Sequence, residues 1–189
     1  MRRNYFYASI SDSKSINNLI KTLEQYRDGL QGKMELLISR LLDIGVDTAE
    51  SNTGDYAGFI VFKKHLMADK NGIDGVIVAT DGSKMIRKWM KNGKVVSAIV
   101  SPLLMAEFGS GWLAKVMSTK DYRGNELGVG QGTFPGQTHA FDKDGWSWTT
   151  PDGKEHHSYG EAPTFPMYSA TIAILNEIDR IAKEVFGNG

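Results

Sequence analysis

Apolar residues recur at helical spacing near both ends of this chain, with shorter β-type runs between them, which restricts the fold to helices packed on a small sheet. Ile16, Leu19, Ile20, Leu23, Tyr26 and Leu30 stand three and four residues apart over residues 13–30, behind a serine-rich start. Gly29 and Gly32 interrupt the stripe, and Met34, Leu37, Ile38, Leu41, Leu42 and Gly45 resume it. A second helix or a kinked continuation is therefore expected to about Thr48. From Gly58 the period changes: Phe59 to Phe62, Gly75 to Ala79 and Val95 to Val100 are short β-rich runs parted by Asp, Asn and Gly clusters. They read as strands of one small, mainly antiparallel sheet. After Pro163 and Pro166, helical spacing returns through Ala170, Ile174, Ile178, Ile181 and Val185 and stops at Gly187. The class implied is α+β.

Residues 109–165 have a different texture. Ten glycines and the aromatics Trp112, Tyr122, Phe134, Phe141, Trp146, Trp148 and Tyr159 fall there with little periodicity. Loops this long inside a domain are usually functional or ordered by a partner. Within the stretch, Gly145 to Thr149, the turn Pro151-Asp152-Gly153 and Glu155 to Tyr159 spell a small hairpin. Aromatics in such number must pack on the sheet or be covered by another chain. No repeat, low-complexity tract or interdomain linker appears. The chain reads as a single domain over 1–189, with an N-terminal extension and helix (1–30), a helix-plus-sheet core (31–111), an extended loop and hairpin arm (112–165) and a C-terminal helix (166–186).

Composition narrows the function. With no cysteine among 189 residues, disulfides, thiolate nucleophiles and Cys-ligated metals are excluded, which suits a reducing compartment. The start is basic and then aromatic, but Ser9, Ser11, Asp12 and Ser13 interrupt it before an export signal can form. No apolar run approaches the ~18 residues of a membrane span, so no membrane association is expected. The 22 basic and 22 acidic side chains balance, which argues against a dedicated nucleic-acid binder. The charges are nonetheless uneven, +4 over residues 1–100 and −4 over 101–189, as head-to-tail contacts between copies or merely solvated faces would have it.

Lys84, Arg87, Lys88, Lys91 and Lys94 form a basic segment without an acid. Helical spacing and the Asn92-Gly93 hairpin signal compete there, and the latter is favoured. These charges are candidates for DNA phosphates or an acidic partner, although a solvated face accounts for them more simply.

Catalytic constellations are mostly absent. The Gly-Lys pairs at 32, 93 and 153 are followed by Met, Val and Glu, so no phosphate-cradling loop is present. Gly128-Val-Gly130-Gln-Gly132 lacks the glycine spacing and flanking elements of a dinucleotide turn. Ser110 lies between glycines without the spacing of a nucleophile elbow or a base in view. His65 and His139 are isolated, and His156-His157 on a strand would face opposite ways, so neither a metal nor a cofactor is expected. Glu107, among Leu103, Leu104, Met105, Ala106 and Phe108, is the one carboxylate whose pKa desolvation would raise. Its simpler role is to satisfy backbone donors at a strand end or an interface.

Three segments together carry a resemblance: Ser101-Pro-Leu-Leu-Met-Ala-Glu-Phe-Gly-Ser-Gly111, Gly145-Trp-Ser-Trp148, and Gly160-Glu-Ala-Pro163-Thr-Phe-Pro-Met-Tyr168. They resemble the head–tail connector proteins of long-tailed bacteriophages, the neck or tail-completion family of lambdoid type. In that family an amphipathic helix precedes a small sheet, a strand ends in Glu-Phe-Gly-[Ser/Thr]-Gly, and an aromatic-and-proline segment leads into a last helix. Glu107, Phe108, Gly109, Ser110 and Gly111 match the central motif; Pro163, Phe165, Pro166 and Met167 match the lead-in. The resemblance spans roughly residues 33–186, and the chain departs from it by its N-terminal segment through about residue 30 and by a long 112–144 loop. It implies a structural protein without catalysis, located in the virion neck and assembled in the host cytoplasm. Its partners would be its own copies in a ring, other connector and tail proteins, and packaged DNA through non-specific contact. Trp112, Trp146 and Trp148 join the motif residues as interface candidates. The alternative is a module binding or hydrolysing cell-wall polysaccharide, with Glu107 as acid and exposed tryptophans as sugar platforms.

Overall fold

The computed structural model describes residues 13–69, 72–117 and 142–187. Helix α1 (Ser13–Ser51) is one uninterrupted helix of 39 residues. Gly29 and Gly32 neither end nor divide it: a helical glycine costs about 1 kcal/mol against alanine, and no proline stands nearby to break the backbone ladder. Leu37, Leu41, Leu42, Gly45 and Ala49 are its buried positions.

A short 3-10 turn (Gly54–Tyr56) leads into strand β1 (Ile60–Asp69), which pairs antiparallel with β2 (Gly72–Asp81). Strands β3 (Met85–Lys91) and β4 (Lys94–Val100) form a second hairpin, and β5 (Trp146–Thr149) and β6 (Glu155–Ser158) a third. Helices α2 (Pro102–Phe108) and α3 (Gly111–Met117) follow β4, and β7 (Gly160–Glu161) precedes the final helix α4 (Pro166–Gly187). The class is α+β, as the sequence implies.

Three details depart from the sequence reading. The described strands form three two-stranded sheets rather than one. The chain leaves the first hairpin before β3 begins, because Gly82 N–H closes back on the Phe59 carbonyl (2.7 Å) and Asp81 Oδ1 accepts from Leu103 N–H at 2.9 Å. The Glu-Phe-Gly motif ends a helix, not a strand: Ser101 accepts from Leu104 N–H (3.2 Å) and Pro102 takes the first turn, a cap-and-proline start that favours helix. Part of the expected 112–144 loop is helix α3, while 118–141 lie outside the described residues. The basic segment is a hairpin, turned by Asn92 (φ 52°) and Gly93 (φ 73°) as a two-residue loop of positive φ requires.

Two cores hold these parts. Helix α4 runs antiparallel to the second half of α1, with Leu37 and Leu41 against Ile181 and Val185, flanked by Ile44, Ile174 and Phe186. Gly45 lets α1 pass between the first hairpin and α4: a Cβ there would collide with Ile77 and lie 2.7 Å from Ile174 Cδ1. The second core joins Tyr56, Ile60, Val100, Met105 and Ala106, with Phe62, Met85 and Leu103 packed on it. It ties the first two hairpins to α2, which carries Glu107.

Candidate functional site

Two of the three segments that carry the resemblance, 101–111 and 160–168, meet. From α2, Glu107 Oε2 accepts from Met167 N–H at 2.8 Å and Oε1 from Tyr168 N–H at 3.0 Å. The carboxylate thereby caps the first turn of α4, where unpaired donors and the helix dipole favour negative charge. The preceding carbonyl, that of Ala106, accepts from Thr164 N–H (2.8 Å) and Phe165 N–H (3.1 Å). Phe165 sits at φ 55°, costly for an aromatic residue, and is held there by this bond and by edge-on packing against Tyr168 at 6.2 Å between centroids. Burial pushes the Glu107 carboxyl above its usual value, and the two backbone bonds oppose that shift.

On the other side of Gly109, Ser110 and Gly111 bridge antiparallel to Glu161 and Gly160. Ser110 is buried, and its hydroxyl accepts from Glu161 N–H at 3.2 Å. Gly160 (φ 103°) lies so close that any Cβ would overlap the Ser110 carbonyl. Glu161 in turn receives the buried Tyr56 hydroxyl and an ion pair from Arg87 at 3.2 Å. Burial, and next the Asp55 charge, raise its carboxyl above the usual range. Through Tyr56, Glu161 and Arg87, the turn after α1, the second hairpin and the lead-in to α4 converge on one side chain.

Against the sequence reading, this arrangement assigns Glu107 the work of satisfying backbone donors at a helix start instead of a strand end. Both its oxygens face amide groups of α4. Trp112, Trp146 and Trp148 are half-buried rather than exposed: the Trp146 ring lies against Gly111, and Trp148 stacks on His156 at 5.2 Å. His156 and His157 diverge as a strand requires, His157 meeting Ser147 Oγ at 3.0 Å and the Tyr159 ring. Among the described residues no group of three or more His, Asp or Glu is placed to hold a metal ion, and no helix is long and apolar enough to cross a membrane.

The basic residues do not form one patch. Arg87 points to Glu161, Lys88 lies on the opposite face of β3, and Lys91 and Lys94 face each other across the hairpin turn. Beside Lys88 the structure exposes a surface that sequence reasoning missed. Ile86, Val95 and Ile99 are 58%, 55% and 57% exposed on the outer face of the second hairpin, whereas Met85 and Val100 on its inner face pack into the core. Among the described residues no third strand pairs with either edge of that hairpin.

Comparisons with protein-family models, curated proteins and solved structures return no match for this chain.

Proposed function

We propose that this chain is a structural subunit of a bacteriophage neck, packing beside copies of itself in a ring that joins the DNA-filled head to the tail, without catalysis. The observation that carries the reading is the outer face of the β3–β4 hairpin. A two-stranded sheet is marginal by itself, and one that presents Ile86, Val95 and Ile99 to water, with no third strand hydrogen-bonded to it among the described residues, is built to be covered. An exposed apolar face of this kind suits contacts with a different surface of a neighbouring copy, and such heterologous contacts close into rings when the rotation fits. The junction at Glu107 and Glu161 supports this reading, because it spends its buried polar groups on locking elements together. The resemblance of residues 101–111, 145–148 and 160–168 supplies the location, the head–tail interface of the virion. At the hairpin tip, Lys91 and Lys94 are the basic residues placed to meet DNA phosphates or an acidic neighbour.

The test is a phage lacking this protein, viewed by electron microscopy and complemented with the wild-type chain. Filled heads and unjoined tails, with joining restored on complementation, are expected. Intact joined particles without the protein would overturn the reading.

A further inference from the structure

We infer that the first half of α1 is a docking surface for a second copy of this chain, the two helices lying antiparallel. One apolar line runs the length of α1, and α4 covers only its second half. Leu37 and Leu41 are 8% and 5% exposed beneath α4, whereas Ile16, Ile20, Leu23, Tyr26, Leu30 and Met34 range from 36% to 51%. Among the described residues no second helix packs on that more exposed part, which is the direct continuation of an interface whose other half is already filled by a helix. Residues 13–34 span about 33 Å, six turns of helix. Gly29 and Gly32, with nothing within 4 Å of a Cβ at either, lower the intrinsic helix stability of this arm, which packing against a second helix would offset.

The pattern states which partner. Ile16, Leu19, Leu23, Tyr26 and Leu30 alternate three and four residues apart, the spacing at which two helices bury a shared seam along their length. The next place on that seam is Lys33. A parallel pair would set Lys33 against its own copy, two like charges in one layer. An antiparallel pair instead places Leu19 against Leu30 of the second copy and Leu23 against Tyr26 of the second copy. Lys33 then falls at the end of the seam, opposite Ile16, where its ammonium reaches water. Charge agrees: counted along the sequence, residues 12–23 hold Lys14 and Lys21 against Asp12, a net +1, while 24–35 hold Glu24, Asp28 and Glu35 against Arg27 and Lys33, a net −1. The antiparallel pair lays the basic end of each helix beside the acidic stretch of the other. In this register residue 13 of one copy reaches residue 36 of the other, where the cover of α4 begins. Such a contact is two-fold and closes on two copies, so it is separate from any ring built through the second hairpin, and its test does not depend on the neck reading.

Because the chain has no cysteine, introduced thiols report pairing without background. Full-length Leu19→Cys and Leu30→Cys proteins, mixed and mildly oxidised, are expected to give the mixed disulfide in preference to either homodimer, since bridging needs Cα atoms within about 7 Å. Sedimentation equilibrium of the full chain carrying Leu23→Asp and Leu30→Asp is expected to show the particle mass halved, with Leu41 and the α4 contact intact by hydrogen exchange. A homodisulfide of Leu19→Cys in excess, as a parallel pair would give, overturns the proposal. So does an oxidised mixture that yields no mixed disulfide, or a mass unmoved by the double aspartate variant.

Discussion

Glu107 and Met167, sixty residues apart, are joined by a 2.8 Å hydrogen bond in which a carboxylate on one helix caps the start of another. Tyr168 N–H occupies the second oxygen, so both acceptors are engaged at a site where water is partly excluded. Glu107→Ala leaves both amides without this partner and is expected to cost about 1–2 kcal/mol, read as a lower urea midpoint. Glu107→Gln retains one acceptor and is expected to cost less. An alanine variant as stable as the parent would show that the cap contributes nothing.

The same carboxyl gives a pH dependence of defined sign. Its folded pKa is raised by burial above the usual 4.5, so the folded chain holds the proton more tightly than the unfolded chain does. Stability from this group is therefore fully present below the unfolded value and declines as pH rises through the window up to the folded one. Glu161 is shifted in the same direction, so its contribution has the same sign. The expected outcome is a fall in unfolding free energy with rising pH in that window, and a shallower fall in Glu107→Gln. A slope that Glu107→Gln leaves unchanged would exclude Glu107 as its source.

Much of the fold is legible in the sequence because its signals are local. The apolar stripes of α1 and α4, the Asn92-Gly93 turn and the hairpin about Pro151-Asp152-Gly153 each follow from residues a few places apart. The outer face of the second hairpin is not legible, since Met85 and Trp89 on one side of β3 and Ile86 and Met90 on the other are equally apolar. A period of two then names no inner face. The division into separate hairpins depends on Asp81 reaching Leu103, and the Glu161 junction on Tyr56, 105 residues away. No spacing rule contains contacts of that kind. Ser101-Pro102 is a readable helix start, obscured by the strand that the resemblance implies.

Tyr56 and Arg87 meet the same carboxylate from different environments, so their removal is expected to differ. Tyr56 is buried, and Tyr56→Phe deletes a donor to a half-buried carboxyl at an expected cost of about 1–2 kcal/mol. Arg87 and Glu161 side chains are 48% and 42% exposed, and Arg87→Met is expected to cost no more than about 1 kcal/mol. Urea denaturation of both variants checks the order, which would be reversed if the ion pair were the stronger bond.

Ile86 and Ile99 face each other across the second hairpin, both well exposed. Replacing them as a pair, Ile86→Glu with Ile99→Lys, substitutes a cross-strand ion pair for the apolar one and is expected to leave monomer stability within about 0.5 kcal/mol. If this face is where copies meet, the variant chain folds yet fails to complement a phage lacking the protein. Complementation at the wild-type level would count against the proposed contact through this face.

Two glycines give opposite outcomes to the same substitution. Gly29 lies in an exposed turn of α1, where a methyl group would find nothing within 4 Å, so Gly29→Ala is expected to raise helix content and to stabilise by up to about 1 kcal/mol. Gly160 has φ 103°, where an L side chain is strained, and a Cβ would lie 2.7 Å from the Ser110 carbonyl carbon and closer still to its oxygen. Neither neighbour is free to move, because Ser110 and Glu161 are bridged on one side and Gly111 packs under Trp146 on the other. Gly160→Ala is therefore expected to cost about 3 kcal/mol or more. The loss should begin where 160–168 meets α2, read as faster amide exchange at Met167 and Tyr168 than at Leu41. Uniform acceleration across the chain would mean that the junction and the α1–α4 core unfold as one unit.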